Sequence, residues 1–249
     1  MKTIGVYNIK GGVGKTTTTV NIAFMAAQAG YRTLIWDLDP QGAASYYFRI
    51  TPKVKGGSKA LLKGKRSLDE AIKGTDYEDL DLLPADFSYR HMDLALDGGK
   101  KSNLRLRKLI EPLADEYDCV FLDCPPSISL VSENIFSAAD TLLVPTIPTT
   151  LSQRTLQQLT DFVADNASLK GLEILPFFTM VDRRKNLHKD LIKSLRASYP
   201  NTLGGEVPYA SDVERMGIQR MPLPVFAPNS AAAGAYRELW SELRLNLES

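Results

Sequence analysis

Residues 3–17 read Thr3-Ile-Gly-Val-Tyr-Asn-Ile-Lys10-Gly-Gly-Val-Gly-Lys-Thr-Thr17: a β-favouring apolar run, a glycine loop, and the opening of a helical pattern. Glycines let the backbone wrap closely around an anion. The start of a helix offers N–H groups with no intrahelical acceptor, and a lysine adds a full positive charge. Gly11, Gly12, Val13 and Gly14 are therefore candidates for a phosphate cradle. Lys15 would reach the β and γ phosphates, Thr16 would offer its hydroxyl to Mg²⁺, and Thr17 would carry the cradle into the helix. The strict G-x-x-x-x-G-K-[ST] spacing is missed by one residue: Ile9 stands at its first glycine, and Lys10 followed by two glycines replaces it. A glycine-rich turn with no ligand is the weaker reading in this strand-to-helix setting.

Outward from this stretch, short apolar runs alternate with helical patterns, the signature of βαβ units around a mainly parallel sheet. Strands are expected at Thr3–Ile9, Thr33–Asp37, Leu80–Pro84, Cys119–Asp123, Thr141–Ile147, Ile174–Val181 and Glu206–Pro208. Several are apolar nearly throughout, which suits strands covered on both faces. Helices are expected at Lys15–Ala29, Asn103–Glu116, Leu130–Ala138, Leu151–Asp165, Leu187–Tyr199 and Ala231–Leu247, and Ser67-Leu-Asp-Glu70 has the spacing of a capping box opening a short helix. The expected fold class is α/β, a doubly wound, mainly parallel sheet with helices on both faces. No repeat or long Pro-Gly-Ser linker divides the chain, so one domain over residues 1–249 is expected.

Composition narrows the function classes. The chain is 44% hydrophobic and 24% charged, and 30 Lys and Arg against 29 Asp and Glu leave a net charge of +1, so any polyanion-binding surface must be local. No apolar run is long enough for a membrane span, and the start of the chain lacks a signal-peptide apolar region, so a cytoplasmic location and no membrane partner are expected. Cys119 and Cys124 lie five apart in a strand pattern and point to opposite faces, which supports neither a disulfide framework nor a dedicated metal site. The least patterned stretch, Gly42 to Arg66, holds Lys53, Lys55, Lys59, Lys63, Lys65 and Arg66 without an acidic residue and reads as a solvated loop in preference to a binding surface.

Lys10-Gly-Gly-Val-Gly-Lys-Thr resembles the deviant Walker A motif of the ParA/MinD family of P-loop ATPases. Trp36-Asp-Leu-Asp-Pro-Gln-Gly42 is similar to that family's second nucleotide motif, and Val120-Phe-Leu-Asp-Cys-Pro-Pro-Ser127 to its Walker B strand. Phe178-Thr-Met-Val-Asp-Arg183 and Ala227-Pro-Asn-Ser-Ala-Ala-Ala-Gly-Ala-Tyr-Arg-Glu-Leu239 look like late segments of ParA-type partition proteins. The resemblance thus covers nearly the whole chain, with three nucleotide motifs in order.

The resemblance implies ATP and Mg²⁺ as cofactors and slow, partner-stimulated hydrolysis. It implies that Lys10 is the signature lysine reaching the nucleotide of a second subunit, that Asp39 positions the attacking water, and that Asp37 and Asp123 are indirect Mg²⁺ partners. Carboxylates suit these tasks because they orient water and hold a hydrated hard cation. Taken singly, each Asp also reads as a strand-end cap. For the adenine, the resemblance points to Met180, Asp182, Arg183 and Pro208. It further implies a homodimer with ATP, nonspecific DNA binding when ATP-bound, nucleoid association, and a cargo-linked activating protein.

Other jobs on the same scaffold remain to be weighed, since a fold does not set a function. A MinD-like membrane switch is disfavoured by the C-terminal pattern: Tyr236, Leu239, Trp240, Leu243 and Leu247 form an apolar stripe, but the opposite face mixes Arg237 and Arg244 with Glu238, Glu242 and Glu248, whereas a membrane-surface helix is expected to be basic. An iron-sulfur reductase lacks a cluster-ligand cysteine pattern. A small-molecule ATP-dependent ligase needs a second substrate pocket that no further His, Lys or carboxylate group announces. For DNA, Arg183, Arg184, Lys185, Lys189, Lys193 and Arg196 crowd a stretch holding one acid, Asp190, and Arg215 and Arg220 follow. A solvated helix face explains these charges equally well on charge alone. Lys100, Lys101, Arg105, Arg107 and Lys108 form a second basic cluster. Where ParA-type proteins carry a Gln-Ala-Glu-Tyr-Tyr-like segment, this chain has Ile147-Pro-Thr-Thr-Leu-Ser-Gln153, so the resemblance leaves the cargo open.

Overall fold

The apolar runs at Thr33–Asp37, Cys119–Asp123 and Thr141–Thr146, buried at every residue and so covered on both faces, lie in the middle of one sheet. The computed structural model describes residues 1–62, 68–97 and 102–248. Its strands are β1 (Lys2–Val6), β2 (Thr33–Asp37), β3 (Lys73–Gly74), β4 (Leu80–Leu83), β5 (Cys119–Asp123), β6 (Thr141–Thr146), β7 (Glu173–Val181) and β8 (Glu206–Pro208), in the spatial order β3-β4-β2-β5-β1-β6-β7-β8. All neighbours are parallel except β3 with β4.

The connecting helices are α1 (Lys15–Gln28), α2 (Ala43–Tyr47), α3 (Gly57–Leu62), α4 (Met92–Leu96), α5 (Arg105–Ile110), α6 (Leu130–Ala138), α7 (Thr150–Asp165), α8 (Asn186–Ser198), α9 (Ser211–Gln219), α10 (Leu223–Phe226) and α11 (Ala231–Glu248). Alternate strand residues feed two apolar layers. Ile4, Ile35, Phe121 and Leu143 pack with α1 and α11, while Leu34, Trp36, Val120 and Leu142 pack with α6, α7 and α8. This is the doubly wound α/β arrangement. Cys119 and Cys124 are free and buried in different layers, so they share no ligand site.

Several boundaries differ from the sequence expectation for identifiable reasons. β1 stops at Val6 and not at Ile9, because the chain leaves the ladder to form the glycine loop. β4 and β6 end one residue early, before Pro84 and Ile147, and Pro84 has no N–H to give a ladder. The helix expected over Asn103–Glu116 is broken into a 3₁₀ turn, α5 and a second 3₁₀ turn at Glu111–Asp115, since Pro112 removes a helical hydrogen bond. The stretch expected to be a loop from Gly42 carries α2 and α3. Ser67 lies outside the described residues, and Leu68 to Ile72 form one turn closed by the Ala71 and Ile72 N–H groups on the Leu68 carbonyl, where a short helix was expected. Helix α9 is absent from the sequence expectation, although Met216 is buried and Val213, three residues before it, packs partly buried against the same core.

The C-terminal stripe packs inward. Tyr236, Leu239, Trp240, Leu243 and Leu247 are all buried, and Trp240 meets Tyr31 edge-on at 5.6 Å between ring centroids. A β-carbon on Gly205 would lie 2.6 Å from Leu239 Cγ, so α11 sits directly on the backbone before β8. Among the described residues no helix is long and apolar enough to cross a membrane. Leu239→Ala is expected to lower the unfolding free energy by about 3 kcal/mol in urea denaturation, as for a cavity in a tight core. Leu245→Ala, on the exposed face of the same helix, should change it by less than about 0.5 kcal/mol. Equal effects would contradict this placement of α11.

Candidate functional site

The loop between β1 and α1 is held in shape from outside. Asn8, buried, donates from Nδ2 to the Pro145 carbonyl at 2.9 Å and accepts the Lys10 N–H on Oδ1 at 2.9 Å. The buried Thr179 hydroxyl donates to the Val13 carbonyl at 2.9 Å. Gly12 and Gly14 take φ of +69° and +90°, the left-handed region that glycine enters freely. Helix α1 then begins at Lys15 with no side-chain cap and no acidic residue in its first turn. Its first N–H groups therefore face the loop mouth as an anion seat. Lys15 is almost wholly buried, and its Nζ donates to the Lys10 carbonyl at 3.0 Å. Burial pulls its pKa below the usual lysine range, and the nearby Asp123 and Asp39 carboxylates oppose that shift.

Two carboxylates stand beside this seat because β2 and β5 are adjacent and parallel, with Asp37 and Asp123 paired in register at their carboxyl ends. Neither has exposed surface. Asp37 Oδ2 accepts the Ser45 N–H at 2.8 Å and the Ser45 hydroxyl at 2.7 Å, while its Oδ1 has no partner. Asp123 Oδ1 accepts the Thr19 hydroxyl at 3.2 Å, and its Oδ2 has no partner. Burial pushes the Asp37 carboxyl up to about 6. Burial, with the neighbouring Asp37, pushes Asp123 well above the carboxylate range, opposed by the hydroxyls of Thr16 and Thr19. Asp39 is half-buried just beyond β2, with Oδ1 accepting the Gln41 N–H at 2.9 Å.

Two buried, unpartnered carboxylate oxygens beside a threonine hydroxyl fit a hydrated Mg²⁺, which keeps several waters and takes few protein ligands. Among the described residues, no group of three or more His, Cys, Asp and Glu is placed to hold a metal. A cation here would thus depend on bound phosphates and water as well as on the chain.

The candidate base contacts divide into two places. Between Phe178 and Val181 the pairing of β7 with β8 shifts register, and Met180 takes φ +52°. This irregularity turns the strand end beside the glycine loop. Met180 and Pro208 line a cleft with Val13, Gly14 and Thr17, completed by Tyr236 of the C-terminal stripe and by Tyr209, Val213 and Glu214, which the sequence does not single out. Asp182 and Arg183 are not in this cleft. Asp182 is held by Arg184 through two contacts of 3.0 Å, which keep its carboxyl down at about 2, and its N–H donates to His188 Nδ1 at 3.1 Å. Arg183 instead reaches Glu206 at 3.5 Å, in a separate groove with Lys189, Lys193 and Arg196. Asn8, Ser45 and Thr179 were also missed, being lone polar residues whose partners are distant in sequence.

The basic clusters are differently employed. Arg183, Arg184, Lys185, Lys189 and Lys193 are exposed around the start of α8, and Arg196 bonds the Gly204 carbonyl at 2.7 Å. In the cluster at 100–108, Lys100 and Lys101 lie outside the described residues, Arg105 donates to the Ala95 carbonyl, and Arg107 pairs with Glu111. Lys63, Lys65 and Arg66 also lie outside the described residues.

The buried carboxylates cost stability in the free protein. The Asp37 pKa is raised from 3.8 to about 6, so the folded state holds this proton more tightly than the unfolded chain does. The contribution is fully present below about pH 4 and is lost as pH rises through about 6. In EDTA, Asp37→Asn is expected to stabilise the free protein by about 2 kcal/mol at pH 8, with the gap closing near pH 4. Urea denaturation at the two pH values checks this, and a destabilised variant at pH 8 would contradict it.

A family model described as an AAA domain matches residues 1–172. The chain is 36% identical over 202 residues to a chromosome partitioning protein ParA of Myxococcus xanthus, covering 79% of this chain and 71% of that relative. It is 29% identical over 250 residues to the sporulation initiation inhibitor protein Soj of Bacillus subtilis, covering 98% and 99%. Among solved structures it is similar to a cobyrinic acid a,c-diamide synthase of Mycobacterium smegmatis with bound ADP and magnesium, at TM-score 0.85 and 27% identity, covering 100% of this chain and 96% of that one. With the glycine loop, the paired strand-end carboxylates and these relatives together, the chain belongs to the ParA/MinD family of P-loop ATPases.

Proposed function

We propose that the protein is a slow, Mg²⁺-dependent ATPase of the ParA type that pairs with a second copy when ATP-bound and then holds nonspecific DNA. Hydrolysis, stimulated by a cargo-linked partner, would release it. The observation that carries the ATPase reading is the open N-terminus of α1 facing two unpartnered carboxylate oxygens, Asp37 Oδ1 and Asp123 Oδ2. The N–H groups of the loop and of the first turn of α1, with Lys15, bind the phosphates. Thr16, Asp37 and Asp123 would hold Mg²⁺, which when bound supplies charge neutralisation at the phosphate oxygens. Asp39 orients the attacking water. Lys10 has its backbone fixed by Asn8 and Lys15, which leaves its side chain to reach a nucleotide held by the second copy.

The exposed cations at the start of α8 supply phosphate contact without base reading, and pairing two copies would double that surface. The partition proteins among the relatives support this reading. A second reading, an ATP-dependent ligase acting on a small molecule, is favoured by the similarity to the diamide synthase. The two differ in what ATP makes the protein bind.

A gel shift with ATP, ADP and a salt series separates them. Retention of DNA only with ATP, weakening steeply with salt, is expected. No retention at low salt would overturn the DNA reading, and vesicle binding in its place would favour a membrane switch. Lys15→Ala is expected to abolish ATP binding, and tight binding by that variant would overturn the site. Asp39→Ala is expected to bind ATP and accumulate as a dimer without turnover, read by light scattering. A monomer with ATP would contradict ATP-gated pairing. Lys10→Ala should bind ATP as a monomer, and parent-level association would remove its cross-subunit role.

A further inference from the structure

A buried serine just past the second nucleotide motif decides which oxygen of Asp37 is left open. Ser45 is the third residue of α2 and, like Asp37, has no exposed surface. Its N–H and its hydroxyl both donate to Asp37 Oδ2, at 2.8 and 2.7 Å. The same hydroxyl oxygen accepts the Ala85 N–H at 3.0 Å, from the segment that follows β4. A hydroxyl has one proton to give. With a backbone N–H on its oxygen, that proton is directed to the carboxylate, and one residue holds Asp37 Oδ2 with two donors. The carboxylate cannot turn without breaking both bonds, so Oδ1 stays the buried, unpartnered oxygen. Asp123 is held differently, because the Thr19 hydroxyl lies 3.2 Å from its Oδ1 and 3.1 Å from the Lys15 carbonyl and shares one proton between them.

We propose that Ser45 is a positioning residue for the Mg²⁺ site: its hydroxyl, oriented by the Ala85 N–H, locks the Asp37 carboxylate with Oδ1 presented to the hydrated cation. Ser45 acts through Asp37 and is not itself a ligand. This rests on the reading of Asp37 as a Mg²⁺ partner. A purely structural role is the competing explanation, because the same three bonds tie α2 to the ends of β2 and β4. The two roles separate by ligand and by partner. Loss of a structural tie loosens the site whether or not the Asp37 carboxylate is present, whereas loss of positioning weakens the metal and does so only through Asp37.

Mn²⁺, whose free form is counted by electron paramagnetic resonance, serves as the probe for Mg²⁺. It is titrated into the full chain saturated with ADP, and ADP is titrated separately in EDTA by calorimetry. Ser45→Ala is expected to weaken Mn²⁺ about tenfold, the low end for loss of a group that orients a metal-site carboxylate, and to leave metal-free ADP within about twofold of the parent. Asp37→Ala is expected to weaken Mn²⁺ at least as much, and adding Ser45→Ala to it should cost less than about twofold more. Unchanged Mn²⁺ affinity in Ser45→Ala, parallel losses of Mn²⁺ and metal-free ADP, or an undiminished effect of Ser45→Ala on top of Asp37→Ala would each overturn the proposal while leaving Asp37 its place. Parent-level Mn²⁺ affinity in Asp37→Ala would instead remove the cation-site reading, and the proposal with it.

Discussion

Helix α1 starts without a cap, and much of the site exists because of that omission. Its first N–H groups and the nearly buried Lys15 gather positive potential at the mouth of the glycine loop, while Asp37 and Asp123 hold two buried carboxylate oxygens with no partner nearby. A fold selected for stability alone would cap the helix and pair the acids. Leaving both undone yields a place where an anion and a cation arriving together satisfy what the chain does not.

Such a site stays open only if its surroundings are rigid. Asn8 ties the loop to the end of β6, and Thr179 ties it to β7. Behind it, buried Asn21 donates to the Thr17 carbonyl at 2.7 Å and accepts the Leu223 N–H at 2.8 Å, joining α1 to the start of α10. Tyr236, fully buried on α11, sets its hydroxyl against Thr17, Thr18 and Asn21. On the acid side, Arg220 donates to the Tyr46 carbonyl at 3.0 Å and lies 4.4 Å over its ring, clamping α9 to the helix that follows the Asp39 loop. The phosphate seat, the acid loop and the base cleft are thereby braced by one C-terminal segment, which a family match ending at residue 172 does not include.

Much of this was legible because its chemistry is local. Glycines, a lysine and threonines at fixed spacing announce an anion loop, and apolar runs ending in Asp37 and Asp123 mark parallel strands whose carboxyl ends meet. The boundary of β1 and the break at Pro112 were over-run by patterns that continue past the geometry. What was not legible depends on long-range pairing. The positive φ at Met180 falls where the pairing of β8 with β7 shifts register, and Met180 lines the cleft while its neighbours Asp182 and Arg183 pair with Arg184 and Glu206. Ser45, Asn8 and Thr179 carry no motif, since their roles arise from partners that the fold supplies.

Backbone amide exchange with and without ATP and Mg²⁺, resolved over residues 8–20, tests most directly whether the uncapped end of α1 is the anion seat. Bound nucleotide should slow exchange at residues 11–17, where N–H groups gain phosphate acceptors, and Lys15→Ala should erase that protection. Nucleotide-dependent protection elsewhere in the chain with none at residues 11–17 would contradict it.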